Sequence, residues 1–197
     1  MKSRDADSPT MTLAVLAGGQ SRRMGRDKAF LPYGRSTLIE ETVRPLEKLF
    51  NEVLVVVSPG QDVPSLSWRT AADDVSGEGP LRGILTGLRN ARNEAVFILA
   101  CDAPGLSAAV VQKIAAASAG ADIAIVVTYG GLREPLLGVY RKSVVPDIEA
   151  LLRSGERSIL PLFGRVKMRE VPFERRDIPA NINTPEEYRA FTGNEIP

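Results

Sequence analysis

A glycine pair followed by a group of cations is the part of this sequence best suited to chemistry. An apolar stretch at 12–17 leads into Gly18 and Gly19, and three arginines and a lysine follow: Arg22, Arg23, Arg26 and Lys28. Glycine has no Cβ, so its backbone can turn sharply and approach a ligand closely. Backbone N–H groups and clustered cations together favour a bound anion. The segment 13–28 therefore predicts a loop that binds a polyphosphate.

The spacing of these glycines excludes two familiar phosphate-binding loops. Gly18, Gly19 and Gly25 fit neither G-x-x-x-x-G-K-[ST] nor G-x-G-x-x-G. A nucleotide site here would therefore belong to another class. The competing interpretation is a simple turn that ends a strand, with its arginines in solvent.

Carboxylates beside predicted strands form the second group of candidate residues. Asp102 directly follows the apolar run 96–101, and Asp73 and Asp74 precede a predicted helix at 79–92. A carboxylate at the end of a buried strand needs a partner, because an unpaired buried charge is costly. Mg²⁺ bridging phosphate oxygens would be such a partner for Asp102. The alternative is a structural carboxylate that caps the turn before Pro104.

Composition narrows the classes of function. The 197 residues include 25 Lys and Arg against 24 Asp and Glu, a formal net charge of +1 that argues against non-specific nucleic-acid binding. Histidine is absent, so a bound metal must use oxygen ligands, which favours Mg²⁺ or Ca²⁺ over Zn²⁺. The single cysteine, Cys101, cannot form an internal disulfide. No apolar run reaches the length of a membrane span and no signal peptide is recognisable, so we expect a cytoplasmic protein.

Hydrophobic patterns alternate between strands and helices along most of the chain. Predicted strands lie at 12–17, 53–57, 95–100, 122–128, 136–141 and 166–171. Predicted helices lie at 38–49 with a break at Pro45, at 79–92, 107–118 and 144–153, and from 184 onward, while 158–163 is ambiguous. This alternation predicts an α/β protein with a doubly wound, mostly parallel Rossmann-like sheet in three α/β/α layers and an antiparallel strand at 136–141. In such sheets ligands bind beyond the carboxyl ends of the strands.

The sequence predicts one domain preceded by a short tail. Residues 1–10 are polar and lack periodicity, so we expect a mobile N-terminal tail, and whether Met11 is the functional start stays open. Residues 11–197 contain no repeat, linker or low-complexity segment, which indicates a single domain.

Motifs in a fixed order resemble the nucleotidyltransferases of the molybdenum-cofactor guanylyltransferase type. The first runs from Leu16-Ala17-Gly18-Gly19 through Arg23-Met24-Gly25 to Lys28, where the family pattern is L-A-G-G-x-S-x-R-M-G followed by a lysine. The others are Gly79-Pro80-Leu81-x-Gly83-Ile84, Cys101-Asp102-Ala103-Pro104, Gly155-Glu156-Arg157 and Asn181-Ile182-Asn183-Thr184-Pro185-Glu186-Glu187. The last two point most narrowly to the molybdenum branch.

The resemblance implies a nucleotide-diphospho-sugar transferase-like fold and particular roles for the matched residues. Backbone atoms that would face the nucleotide belong to Leu16, Ala17, Gly18 and Gly19. Arg23 and Lys28 would neutralise the triphosphate, and Asp102 would hold Mg²⁺.

Other matched residues divide between the two substrates. Asp73 matches a family carboxylate in the nucleotide pocket, and Asp74 is the alternative in this register. Asn181 and Asn183 lie where the family is expected to bind a pterin. The resemblance thus divides the nucleotidyltransferase domain into a nucleotide-binding half at about 11–105 and an acceptor-binding half at about 106–197.

The implied activity is transfer of GMP from GTP to molybdenum-bound molybdopterin, with release of pyrophosphate. Transient contact with other cofactor-biosynthesis proteins or with acceptor molybdoenzymes would follow. The chain departs from some relatives because Val57-Ser58 stands where they have a nucleotide-contacting asparagine, and because its loop between Met24 and Lys28 is one residue shorter. The alternatives are therefore a cytidylyltransferase, a sugar-phosphate nucleotidyltransferase, or a non-catalytic nucleotide- or cofactor-binding protein.

Overall fold

The computed structural model describes residues 10–18, 27–75 and 77–193. Within these residues, seven strands form one sheet and two short strands form a hairpin. The sheet contains β1 (Met11–Leu16), β4 (Glu52–Val57), β5 (Arg69–Ala72), β6 (Ala95–Ala100), β7 (Ile123–Thr128), β8 (Arg133–Arg141) and β9 (Met168–Phe173). The hairpin consists of β2 (Pro32–Tyr33) and β3 (Ser36–Thr37).

Helices of two kinds connect these strands. The α-helices are α1 (Leu38–Val43), α2 (Gly79–Asn90), α3 (Ala108–Ala117), α4 (Val145–Arg153) and α5 (Pro185–Thr192). The short 3₁₀ helices are Lys28–Phe30, Glu47–Leu49, Lys142–Val144, Leu160–Gly164 and Arg175–Asp177.

The strand order β5-β4-β1-β6-β8-β7-β9 makes this a doubly wound sheet. β1 pairs in parallel with both β4 and β6, whereas β8 is antiparallel to β6 and to β7. From β1 the chain adds β4 and β5 on one side and then crosses to β6 on the other. Ligands bind where the strand order reverses in this way. The topology therefore predicts a ligand site at the carboxyl ends of β1 and β6.

Buried side chains cover both faces of the sheet, which confirms the predicted three layers. Leu13, Val15 and Phe97 pack on the face covered by α1 and α3, and Ala14 and Ile98 pack on the face covered by α2 and α4. A third, smaller cluster joins α5 to the hairpin region through Leu31, Leu38, Ile182 and Tyr188.

Several predicted elements are confirmed, with shifted ends. The predicted break at Pro45 is real, because α1 ends at Val43 and a 3₁₀ turn begins at Glu47. The strand at 136–141 is antiparallel as predicted but begins at Arg133, and the strand at 166–171 lies at Met168–Phe173. The helix at 79–92 ends at Asn90, and the ambiguous segment 158–163 contains a 3₁₀ turn.

Strand β5 and the hairpin were not predicted from sequence. β5 is an edge strand of four partly exposed residues, so it lacks the apolar run by which the buried strands were recognised. The predicted tail at 1–10 lies outside the described residues apart from Thr10, which is exposed. Among the described helices, none combines the length and apolar character needed to cross a bilayer.

Candidate functional site

Three predicted site residues converge beside the carboxyl ends of β1 and β6. Lys28 begins the 3₁₀ turn after the glycine-rich segment, Asp102 lies two residues beyond β6, and Asn183 lies just before α5. Lys28 Nζ donates to Asp102 Oδ2, with which it forms an ion pair, and to Asn183 Oδ1 at 3.1 Å. Segments separated by 74 and 155 residues in the sequence thus meet at one ammonium group.

Backbone hydrogen bonds hold this meeting point in place. Ile182 N donates to the carbonyl oxygen of Asp102 at 2.9 Å, which anchors the C-terminal segment to the end of β6. Glu187 Oε2 accepts from the backbone N of Asn183 at 2.6 Å and of Thr184 at 3.0 Å. This is the capping box of α5, and it also fixes the backbone that carries the Asn183 side chain.

The second oxygen of Asp102 gives the site a place for a cation. Asp102 is 5% exposed, and its Oδ1 is buried with no hydrogen-bond partner among the described residues. Buried polar atoms are rarely left without a partner, so this oxygen is a candidate metal ligand. No group of three or more acidic, cysteine or histidine side chains in the described part of the chain could hold a metal. Mg²⁺ is commonly bound by one or two carboxylates together with substrate phosphates, so Mg²⁺ at Asp102 stays a prediction.

The end of β1 is closely packed against β4. The backbone N of Ala17 and of Gly18 both donate to the carbonyl oxygen of Val56, at 2.8 and 3.1 Å. A Cβ added to Gly18 would lie 3.0 Å from Ser58 N and Oγ, so a larger residue would have to push Ser58 aside and glycine suits this close approach. Leu16 and Ala17 are buried and Gly18 is exposed. The ligand contacts predicted for these three residues stay predictions.

Gly19 and Arg23, also predicted to bind the nucleotide, lie outside the described residues. Their roles in nucleotide binding therefore stay predictions.

Gln61 and Asp27 are site residues that sequence reasoning missed. Gln61 Nε2 donates to Ala17 O at 3.1 Å and to the Asp27 carboxylate, and Gln61 Oε1 accepts from Ser58 N at 2.6 Å. Burial raises the pKa of Asp27 above its usual range, while the hydrogen bonds from Gln61 and from Ala29 N oppose that rise. A Pro-Gly pair such as Pro59-Gly60 is typical of a turn, but no local pattern indicates that Gln61 contacts a segment 34 residues away.

Asp73 and Asp74 have different surroundings. Asp73 follows β5, and its Oδ1 is buried without a hydrogen-bond partner among the described residues. Burial is the main cause that raises the pKa of Asp73, opposed by a hydrogen bond with Thr86 and by the charge of Arg82. Asp74 is exposed and forms an ion pair with Arg82 at 3.1 Å. Of the two, Asp73 therefore has the carboxylate oxygen available to a ligand.

Asn181 lies apart from the lysine contact made by Asn183, and its predicted contact with a pterin stays a prediction. It is exposed and lines a small cavity with Ala100, Ala103 and Glu134, between the end of β6 and the start of β8. Arg175 lines the same cavity and donates to the carbonyl oxygen of Ile178 at 3.1 Å, which shapes the wall.

The thiol next to Asp102 is poorly suited to act as a nucleophile. Cys101 is buried, and burial, with the charge of Asp102, raises the pKa of its thiol to about 12. A thiol with so high a pKa is a poor nucleophile at neutral pH. Cys101 N donates to Leu16 O at 3.3 Å, so this residue contributes to the pairing of β6 with β1.

The topology and these side chains define a class of protein. A doubly wound α/β sheet with a lysine, a buried carboxylate and a glycine turn at the point where strand order reverses is typical of proteins that bind phosphorylated ligands.

Comparison with known proteins identifies the family. The model of the MobA-like NTP transferase domain matches residues 13–169. A probable molybdenum cofactor guanylyltransferase from Carboxydothermus hydrogenoformans is 38% identical over 185 residues, covering 90% of this chain and 93% of the relative. Another from Mycobacterium avium is 34% identical over 191 residues, with coverages of 94% and 97%. This chain belongs to the MobA-like NTP transferase family.

Solved structures agree with this assignment. The molybdopterin-guanine dinucleotide biosynthesis protein A of Archaeoglobus fulgidus is 25% identical, with a TM-score of 0.77 over 93% of this chain and 97% of that protein. The 2-C-methyl-D-erythritol 4-phosphate cytidylyltransferase of Thermus thermophilus is 19% identical with a TM-score of 0.70, covering 93% of this chain and 98% of that one, and shows the same fold. The predicted nucleotide-diphospho-sugar transferase-like fold is confirmed.

Proposed function

We propose that this protein transfers GMP from GTP to molybdenum-bound molybdopterin, forming the guanine dinucleotide cofactor and pyrophosphate in a Mg²⁺-dependent reaction. The names of the curated relatives support this activity. The observation that carries the proposal is the convergence of Lys28, Asp102 and Asn183 at the switch point of the sheet.

Lys28 and Asp102 divide the electrostatic work of the reaction. Lys28 would donate to oxygens of the triphosphate, and this contact would replace its ion pair with Asp102. The Asp102 carboxylate freed in this way would hold Mg²⁺, which when bound would supply charge stabilisation for the leaving pyrophosphate. Arg23 would add a second positive charge to the same loop.

The acceptor needs little activation by the protein. The acceptor group of molybdopterin would be a phosphate monoester. Such a group has a second pKa near 6, so it is already mostly dianionic at neutral pH. One of its oxygens would form a bond to the α-phosphorus of GTP while the bond between that phosphorus and the bridging oxygen to pyrophosphate breaks. Asn181 and Asn183 would hold the pterin on the acceptor side. The absence of histidine from the sequence is consistent with this chemistry.

Asp73 would contact the base of the nucleotide. Its available oxygen could accept hydrogen bonds from the N–H groups on the Watson–Crick edge of guanine. The end of β1, formed by Leu16, Ala17 and Gly18, would pack against the nucleoside.

Nucleotide titration with a product assay tests the proposal. We expect GTP with Mg²⁺ to bind and to yield pyrophosphate once the loaded pterin is added, and CTP to do neither. Tight binding of CTP with none of GTP would overturn the guanine assignment. Binding of GTP without pyrophosphate release at high enzyme concentration would instead indicate a non-catalytic binding protein.

Substitution of Asp102 tests the metal role. Asp102→Asn should lower turnover by more than about a hundredfold, equivalent to roughly 2.7 kcal/mol in the barrier. Asp147→Asn on α4 is the control, and it should retain normal turnover. Near-normal activity of the Asp102 variant would rule out this carboxylate as the metal ligand.

A further inference from the structure

A single glutamine side chain connects the two described ends of the glycine-rich loop. Ala17 precedes this loop and Asp27 follows it, and Gln61 Nε2 donates to both. The oxygen of the same amide, Gln61 Oε1, accepts from Ser58 N at the end of β4. The amide is therefore engaged on both sides and joins the end of β1, the end of β4 and the segment that leads into Lys28.

The backbone that carries Gln61 is well suited to hold it still. Gln61 N donates to Ser58 O at 3.2 Å, which closes a four-residue turn. Pro59 and Gly60 occupy the central positions, and Gly60 has a φ of 70°. This is the residue pattern of a type II turn, in which proline fixes the first central position and glycine supplies the positive φ. The turn fixes the Cα of Gln61, and the hydrogen bonds with Ala17, Asp27 and Ser58 hold the side-chain amide.

The hydrogen bond from Gln61 to Asp27 lies next to Lys28 in the sequence and bears on its position. Asp27 Oδ1 accepts from Ala29 N at 3.3 Å and caps the 3₁₀ turn Lys28–Phe30, while its Oδ2 accepts from Gln61. Fixing the Asp27 carboxylate therefore fixes the first turn, from which the Lys28 side chain reaches Asp102 and Asn183.

We propose that Gln61 is a positioning residue for nucleotidyl transfer, which holds the ends of the glycine-rich loop together and orients Lys28 toward the triphosphate through Asp27. The inference rests on the proposed function. Without the amide, Asp27 would keep only its hydrogen bond from Ala29 N, and part of the free energy of GTP binding would be used to orient Lys28. The main effect of its loss is therefore on GTP affinity.

Removal of the amide provides the first test. Gln61→Leu should weaken GTP binding, measured by calorimetry without the acceptor, by about tenfold, the order expected for a lost hydrogen bond to a charged group. KM for GTP should rise by a similar factor, while kcat at saturating GTP stays within about twofold because the phosphates of bound GTP orient Lys28 directly. Asp62→Asn, an exposed neighbour in the same segment, is the matched control and should leave both parameters unchanged.

Exchanging the amide at position 61 with the carboxylate at position 27 provides the second test. Gln61→Glu alone should weaken GTP binding more than Gln61→Leu, because two carboxylates would then face each other. Adding Asp27→Asn to Gln61→Glu should recover part of the affinity, since the amide at position 27 can donate to the carboxylate at position 61. A merely structural glutamine would show no such recovery.

The two proposals fail in different ways. If the unaltered protein binds GTP and releases pyrophosphate, but Gln61→Leu binds GTP equally well or the exchange gives no recovery, the positioning role is overturned and the proposed function stands. If the unaltered protein does not bind GTP, the proposed function itself fails.

Discussion

Lys28 occupies a position where a positive charge is needed whether or not a substrate is bound. Its ammonium group lies between the Asp102 carboxylate and the Asn183 side-chain oxygen. The Asp102 side chain is only 8% exposed, so removal of its cation would leave a buried carboxylate. The same lysine therefore contributes to folding and, under the proposed function, to catalysis.

Replacing Lys28 should make the stability of the protein sensitive to Mg²⁺. Lys28→Met should lower the free energy of unfolding by about 1–3 kcal/mol, the usual cost of leaving a buried partner unsatisfied. Added Mg²⁺ should then raise the melting temperature of the variant more than that of the unaltered protein, because Asp102 is available to the ion. Lys48→Met, at an exposed position, is the control. An equal response to Mg²⁺ in all three proteins would contradict metal binding by Asp102.

Asp73 should reduce stability at neutral pH. The pKa of Asp73 in the folded protein lies above the ordinary value of 3.8. The contribution of Asp73 to the free energy of unfolding is therefore most favourable below pH 3.8 and declines as the pH rises through the raised pKa. Asp73→Asn should therefore have a higher melting temperature than the unaltered protein at pH 7, and the difference should shrink as pH falls toward 4. Thermal unfolding between pH 4 and 8 measures this.

The exposed neighbour of Asp73 is the natural comparison. Asp74→Asn loses a surface ion pair of little worth and should show almost no change in melting temperature with pH relative to the unaltered protein. If Asp73→Asn behaves in the same way, the burial of Asp73 does not disfavour its charge.

At the scale of elements, the antiparallel strand β8 depends on one glycine. Gly138 pairs with Ile98 of β6 on one side and with Ile125 of β7 on the other, next to an irregularity in the β7 register. A Cβ at Gly138 would overlap the carbonyl oxygen of Ala124 and lie 2.8 Å from Ile125 Cγ2. The strands therefore approach too closely for any larger residue.

Gly138→Ala should destabilise the whole sheet. Because the atoms in the way are backbone and a packed side chain, we expect a loss of about 3 kcal/mol in urea unfolding. Gly164→Ala is the matched control, since a Cβ there meets nothing within 4 Å, and it should change stability by less than about 0.5 kcal/mol. Equal stabilities of the two variants would show that β8 can move away from β7.

Local signals in the sequence predicted elements better than they predicted contacts. Capping hydrogen bonds begin α1 through Thr37 and Glu40, α5 through Thr184 and Glu187, and α3 through Ser107. These bonds join residues three positions apart, so a local sequence pattern can indicate them. Asp102 was recognisable because it ends an apolar run. Gln61 was not, since its role depends on a tertiary contact. The pairing of Asn183 with Lys28 likewise depends on how α5 docks.

At the scale of the whole molecule, the C-terminal segment completes the site. Tyr188 of α5 is fully buried against Leu31, Leu38 and Ile182, and its hydroxyl donates to the carbonyl oxygen of Pro32. This contact joins residues 156 positions apart. It sets α5 beside the turn that carries Lys28, so the packing of Tyr188 helps to bring Asn183 to the lysine.

Loss of the Tyr188 hydroxyl should loosen this docking. Tyr188→Phe should lower the free energy of unfolding by about 1 kcal/mol, the usual net value of one hydrogen bond. Tyr129→Phe, at a side chain that is 78% exposed, is the control and should be neutral within about 0.5 kcal/mol. Chemical denaturation of both variants measures the difference. A neutral Tyr188→Phe would mean that apolar packing alone holds α5.

The burial of Cys101 has a practical consequence for site-specific labelling of this protein. Because the one native thiol is buried and keeps its proton at neutral pH, a thiol-reactive dye or spin label would attach selectively to a cysteine introduced on the surface. A reporter placed in the exposed segment around Asp62 could then follow the glycine-rich loop as nucleotide is added, without removal of the native cysteine beside Asp102.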